Sequence, residues 1–197
     1  VAAVGFFDTL FGRQKPTPAG DDKIFVMSTA QITLQTEQNL IPTGSAAMCF
    51  KGISSGPFSE IRTNLEQLLE LASREDYLTI KPSEDSFGYR WFTFTSTDFQ
   101  ALVTAIHMAS STLLDRGYGS QLLFAIFAFK RDNGQEMYWL YNYKRSTFYP
   151  FVPQRDANDS ARARNNPEEL RLGAALGKEM PIEPELDRWF AVWNPPL

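Results

Sequence analysis

From Leu122 to Phe129 the chain reads Leu-Leu-Phe-Ala-Ile-Phe-Ala-Phe, apolar at both even and odd positions. A strand sends successive side chains to opposite faces, so a run with no polar parity expects water on neither side. This stretch reads as a central strand and asks for a cover on each face of its sheet. Asn133-Gly134 follows and suits a two-residue type I′ turn, in which both positions take positive φ. That turn pairs Phe129 with Tyr138, Ala128 with Trp139, Phe127 with Leu140 and Ile126 with Tyr141, and sets Arg131 against Glu136. One layer of helices covers only one face. Phe127, Phe129, Tyr138 and Leu140 are therefore the candidate residues for contact with a protein partner.

A long helix leads into this strand. Thr97 and Gln100 stand at capping-box spacing, and Phe99, Leu102, Val103, Ile106, Ala109 and Leu113 recur at the three-and-four interval of one helical stripe. Arg116 suits the negative end of the dipole and Gly117 the left-handed stop. The helix has about 20 residues and spans ~30 Å.

Around this core the signals are shorter. The stretch from Asp22 to Leu40 holds weak helical pattern, with Ser28 or Thr29 as a cap and an end near Asn39. Ile41-Pro42-Thr43-Gly44 turns into a strand from Ser45 to Lys51. Pro57 opens a helix with Phe58, Ile61, Leu65, Leu68 and Ala72 as its apolar stripe. Strands from Tyr77 to Lys81 and from Tyr89 to Thr95 flank a polar turn. A strand from Phe148 to Val152 belongs at an edge, because Pro150 donates no ladder bond. Arg155, Arg162 and Arg164 fall in a polar stretch read as a solvated loop. Asn166-Pro167-Glu168-Glu169 starts a short helix that Gly177 ends, and Trp189, Phe190 and Trp193 tie the last segment back.

The order β-α-β-β-α-β-β-β predicts an α+β fold, an antiparallel sheet of about five or six strands with helices mainly on one face. Residues 1–20 read as an amphipathic arm and linker, and residues 21–197 as one domain. In the arm, Phe6, Phe7, Leu10 and Phe11 form an apolar cluster ahead of Lys15-Pro16-Thr17-Pro18-Ala19-Gly20. Such a segment either lies in a membrane interface or docks on its own domain or a partner subunit.

A net charge of −4 gives no general attraction to phosphate backbones and argues against nucleic acid. The single cysteine, Cys49, excludes an intrachain disulfide, fits a reducing compartment and reads as a buried thiol. No apolar run approaches the ~20 residues of a spanning helix. The expected location is the cytoplasm, either free or peripheral at the inner face of the membrane.

Reactive patterns are weak. His107 is the sole histidine, and no HExxH or CxxC spacing accompanies it, so neither a metal nor a cofactor is expected. Ser110 and Ser111 lie on its helix, where side chains diverge rather than converge on one substrate atom. Gly117-Tyr118-Gly119-Ser120 follows a helix, whereas a phosphate loop precedes one. The primary expectation is a non-enzymatic, homodimeric protein-binding module. The alternative is a small-ligand protein or enzyme with a pocket near Asp85, Tyr89, His107 and Tyr118.

Several runs in fixed order carry a family resemblance. They include Gly5-Phe6-Phe7-Asp8, Ile41-Pro42-Thr43-Gly44, Cys49-Phe50-Lys51 and Asp85-Ser86-Phe87-Gly88-Tyr89-Arg90-Trp91. Gly117-Tyr118-Gly119-Ser120-Gln121-Leu122-Leu123, Phe148-Tyr149-Pro150-Phe151 and Pro184-Glu185-Leu186-Asp187-Arg188-Trp189-Phe190 complete the set. Together they resemble the phage shock protein A-associated protein PspAB family of bacteria. The resemblance implies a link to the envelope-stress response built on PspA, a membrane-remodelling coiled-coil protein, and to membrane metalloproteases of the HtpX kind. It implies no catalytic residues. More distantly, the element order is similar to that of type III secretion chaperones and YbjN proteins, which bind protein segments and dimerise. The strand at 45–51 departs from that pattern.

Overall fold

The computed structural model describes residues 21–54, 56, 59–64, 67, 78–155 and 162–197. A 3-10 turn over Asp21–Phe25 runs straight into helix α1, Val26–Thr36. Ser28 and Thr29 therefore lie inside one continuous helical segment and cap nothing. Strand β1 spans Ile41–Lys51, β2 spans Leu78–Glu84 and β3 spans Tyr89–Ser96. Helix α2, Phe99–Asp115, is followed by β4 at Leu122–Lys130, β5 at Glu136–Asn142 and β6 at Thr147–Phe151. A small ribbon of β7, Pro153–Arg155, and β8, Arg162–Arg164, leads to helix α3, Asn166–Leu176. The N-terminal arm with Phe6, Phe7, Leu10 and Phe11 lies outside the described residues, as do Phe58, Leu65, Leu68 and Ala72. Of that second helix, residues 59–64 are helical and Ile61 is fully buried.

Six strands form one antiparallel sheet in the order β2-β3-β1-β4-β5-β6, and the expected α+β architecture holds. Strand β6, which carries Pro150, ends that order. Strand β1 takes the centre with small side chains: Ala46 lies between Phe94 and Phe127, and Met48 between Phe92 and Ala125. Helices α1, α2 and α3 bury apolar residues on this same face, Leu34 from α1, Leu102 and Ile106 from α2 and Leu172 from α3. Gly44 takes φ +81° where β1 shifts register, and a β-carbon there would stand 2.9 Å from the Ser96 carbonyl oxygen. Only glycine fits that approach.

The β4–β5 hairpin departs from expectation by one residue. Lys130 pairs with Glu136, Phe129 with Met137, Ala128 with Tyr138 and Phe127 with Trp139. The loop is the three residues Asp132-Asn133-Gly134, closed by Gly134 N–H donating to the Arg131 carbonyl at 2.9 Å and Arg131 N–H donating to that of Gln135 at 2.9 Å. Gly134 alone holds positive φ, at +80°, and Asn133 does not adopt the positive φ that type I′ demands. The Asn-Gly pair thus marks a type I turn followed by a left-handed glycine. A one-residue slip exchanges the faces of a strand. Phe127 and Phe129 share the helix-covered face with Met137, Trp139 and Tyr141, while Tyr138 and Leu140 lie opposite with Ile126 and Ala128.

Helix ends show smaller shifts. Asp98 caps α2, one residue beyond Thr97, its side chain accepting from Gln100 N–H at 2.9 Å. At the other end Gly117 N–H donates to the Leu114 carbonyl and Tyr118 N–H to that of Leu113, at 2.9 and 2.8 Å, with Gly117 at φ +83°. This Schellman pattern is the glycine stop the sequence expects. Asn165 caps α3, accepting from Glu168 N–H at 3.2 Å, one residue before the expected Asn166.

The sheet face away from the helices is closed by the last segment of the chain. Phe148 N–H donates to the Pro181 carbonyl and Glu183 N–H to that of Phe148, both at 2.8 Å, so residues 181–183 flank β6. Beyond a 3-10 turn at Leu186–Arg188, the Trp189 ring stacks on Tyr149 with centroids 6.2 Å apart. Trp193 meets Phe151 edge-on at 5.0 Å, and the Thr93 hydroxyl on β3 donates to the Pro196 carbonyl. The segment crosses the sheet as a strap. Phe190, expected among its anchors, instead points outward and is 62% exposed.

Candidate functional site

The four hairpin residues expected at a partner interface are core residues in this fold. Phe127, Phe129 and Leu140 have no exposed surface, and Tyr138 keeps only 7%. Phe127 and Phe129 pack on the Phe99 ring of α2, with centroids 5.8 and 5.5 Å away, and Tyr138 stacks on Phe151 at 6.1 Å. The reason is the strap, which supplies the second cover that the helices do not. The open aromatic face that motivated both docking and a homodimer is closed by the chain itself.

The polar groups that matter most fasten the strap and α3. Glu169 and Glu183 are each only 1% exposed, and a buried carboxylate persists only if its oxygens are satisfied. Glu169 accepts from Val152 N–H at 2.8 Å and from Arg164 Nε and Nη2 at 2.9 and 2.7 Å. Arg164 also donates through Nη1 to the Trp189 carbonyl at 2.6 Å and lies 5.4 Å from the centre of the Phe151 ring. Arg164 is thus an internal brace, not the solvated loop charge its neighbours suggest.

Glu183 accepts from Arg145 Nε at 2.6 Å and from the Thr147 hydroxyl at 2.8 Å, while its own carbonyl receives the Trp189 indole N–H at 2.9 Å. Burial works against its charged form. The bonds from Arg145, Thr147 and Glu185 N–H outweigh that and hold the carboxyl below its ordinary range. A third brace joins the β4–β5 tip to α3: Glu168 takes Arg171 at 2.8 Å and also Arg131. The bond from Arg171, chiefly, keeps the Glu168 carboxyl low. Apart from the Glu168–Arg171 spacing on one helix, none of these pairs leaves a local signal.

Of the alternative set, Asp85 and Tyr89 meet in the β2–β3 turn, while His107 lies within α2 and Tyr118 just beyond its C-terminal end. Asp85 ties the β2–β3 turn: its Oδ1 accepts from Phe87 N–H and Tyr89 N–H, and its Oδ2 from the Trp91 indole, at 2.9, 3.0 and 3.0 Å. Such a carboxylate holds a turn shut. His107 Nε2 lies 3.4 Å from Asp22 Oδ1, and its ring is 4.6 Å from Phe25, both in the first 3-10 turn. Tyr118 closes the Schellman pattern. An open pocket of about 360 Å³ is lined by Gln31, Gln35, Ile41, Gly44 and Asp98, at the opposite end of β1 from the Lys51–Tyr89 pair.

Cys49 is buried, and burial, aided by the nearby Asp85 charge, pushes its thiol up to about 12. Thiolate chemistry is therefore suppressed near neutral pH. Among the described residues no group of three or more His, Cys, Asp and Glu side chains is placed to hold a metal ion. Among them, too, no helix is long and apolar enough to cross a membrane.

By fold and interior chemistry this is an α+β protein whose buried carboxylates brace its own segments. A family model described as PspA associated protein B matches residues 4–197, and the chain belongs to that family, PspAB. No curated protein and no solved structure matched it in the corresponding comparisons.

Proposed function

We propose that the protein is a non-catalytic accessory of the phage-shock envelope-stress response that works by binding a protein partner, PspA first among the candidates. The observation that carries this reading is the family match over residues 4–197. The chemistry of the fold supports it: Asp85, Glu169 and Glu183 are each committed to structural hydrogen bonds, and Cys49 is held as a neutral thiol. Since Phe127, Phe129, Tyr138 and Leu140 are internal, contact falls to other surfaces. The amphipathic segment with Phe6, Phe7, Leu10 and Phe11 is the proposed contact element, toward PspA, an HtpX-like membrane protease or the inner face of the membrane.

Affinity capture of the tagged chain from its native host, with and without residues 1–15, tests the reading. PspA should be enriched with the full chain. Its loss on deletion assigns the contact to the N-terminal segment. Enrichment of the protease alone moves the adaptor role to that partner, and recovery of neither overturns the proposal.

A further inference from the structure

We infer that residues 191–197 form a reversible cover over the second face of the sheet. The groove beneath accepts a segment of a partner protein that carries an aromatic residue followed by prolines. This goes beyond the accessory role proposed above and does not depend on it.

The basis is an asymmetry in how the strap is fastened. Up to Trp189 it is held by the Glu183 carboxylate, the Arg164 bond to the Trp189 carbonyl and the buried Trp189 indole, whose ring stacks on Tyr149. From Ala191 onward the contacts change. Among the described residues they are apolar packing, the Trp193 ring against Phe151 and the Thr93 hydroxyl on the Pro196 carbonyl. Leu197 N–H turns back to the Pro195 carbonyl, inside the segment itself. Pro195 and Pro196 have no N–H to offer, and Asn194 sits in the left-handed region at φ +51°.

These features are those of a bound peptide rather than of a sheet element. Proline-bearing segments dock on aromatic surfaces because the fixed φ of proline leaves little backbone entropy to lose. Lifting this one breaks no ladder bond of the sheet and uncovers the Phe151 ring on which Trp193 sits. The sequence Trp193-Asn194-Pro195-Pro196-Leu197 therefore displays the chemistry its groove selects. Tethering keeps its effective concentration in the millimolar range, so the cover stays closed until a matching segment competes.

A labelled peptide of sequence Phe-Ala-Val-Trp-Asn-Pro-Pro-Leu, added to the full chain and followed by fluorescence anisotropy, tests this. Trp193→Ala in the chain weakens the built-in competitor, and the peptide should then bind at least ~10-fold more tightly than to the unmodified chain. Thr93→Val removes only the bond to Pro196 and should act in the same direction, which keeps the test valid if Trp193→Ala fails to fold. A Thr93→Cys/Pro196→Cys chain should bind the peptide at least ~10-fold more weakly when oxidised than when reduced. No binding by any of these chains, or equal binding by the locked and reduced forms, overturns the inference. So does a dimer, seen in sedimentation without peptide, that exchanges residues 191–197 between copies.

Discussion

The Trp189 indole closes against Gly173 of α3, so tightly that a β-carbon on Gly173 would stand 2.8 Å from its Cη2 atom. The indole cannot swing aside freely. Its N–H is bonded to the Glu183 carbonyl, and its ring stacks on Tyr149. This contact joins α3, β6 and the strap at one point.

Gly173→Ala should therefore destabilise the protein. In an exposed helix the change gains up to about 1 kcal/mol. Here overpacking costs ~1–3 kcal/mol and should exceed that gain. Urea unfolding followed by tryptophan fluorescence reads the balance, and a raised midpoint would show that Trp189 is not locked.

Acid should loosen the strap. The folded pKa of Glu183 lies below its unfolded value, so its charge contributes stability that is fully present above about pH 4.5 and is lost as pH falls through the folded value. Glu168 acts in the same sense. Glu183→Gln should be less stable at pH 7 yet lose less stability than the natural chain between pH 5 and 3. Urea midpoints across that range, parallel for the two proteins, would contradict this.

Leu140→Ala should behave as a core truncation, costing ~2–5 kcal/mol. Leu140→Glu should abolish folding, not merely weaken an assembly, because it places a charge beneath the strap. Circular dichroism and thermal melting decide. A Leu140→Glu chain that stays folded and loses only a partner would return this residue to the surface.

Asp85→Ala removes an acceptor from Phe87 N–H, Tyr89 N–H and the Trp91 indole, and should cost ~1–3 kcal/mol. Phe87→Ser in the same turn should be nearly neutral, since that ring is 84% exposed. Chemical denaturation of both separates a structural carboxylate from one free to react. Equal effects would mean the turn is not held by Asp85.

What the sequence shows of this fold follows from how local each signal is. The run Leu122–Phe129 announces a strand covered on both sides, and the stripe from Phe99 to Leu113 announces α2, because each pattern repeats within one element. Asn133-Gly134 suits both a two-residue and a three-residue loop, and that ambiguity exchanged the faces of Tyr138 and Leu140. Thr97 and Asp98 are both good caps, so the helix start slipped by one. The strap has neither helical nor strand periodicity. Its anchors, Arg145 to Glu183 and Thr93 to Pro196, join residues 38 and 103 positions apart, a distance at which sequence spacing carries no information. The family was legible in the order of its short motifs, while a contact surface was not.

The most direct test of the functional reading is a calorimetric titration of the purified full-length chain with purified PspA from the same organism. A saturating heat with fixed stoichiometry and a Kd at or below about 10 μM is expected. A flat titration, with both proteins shown to be folded, would contradict it.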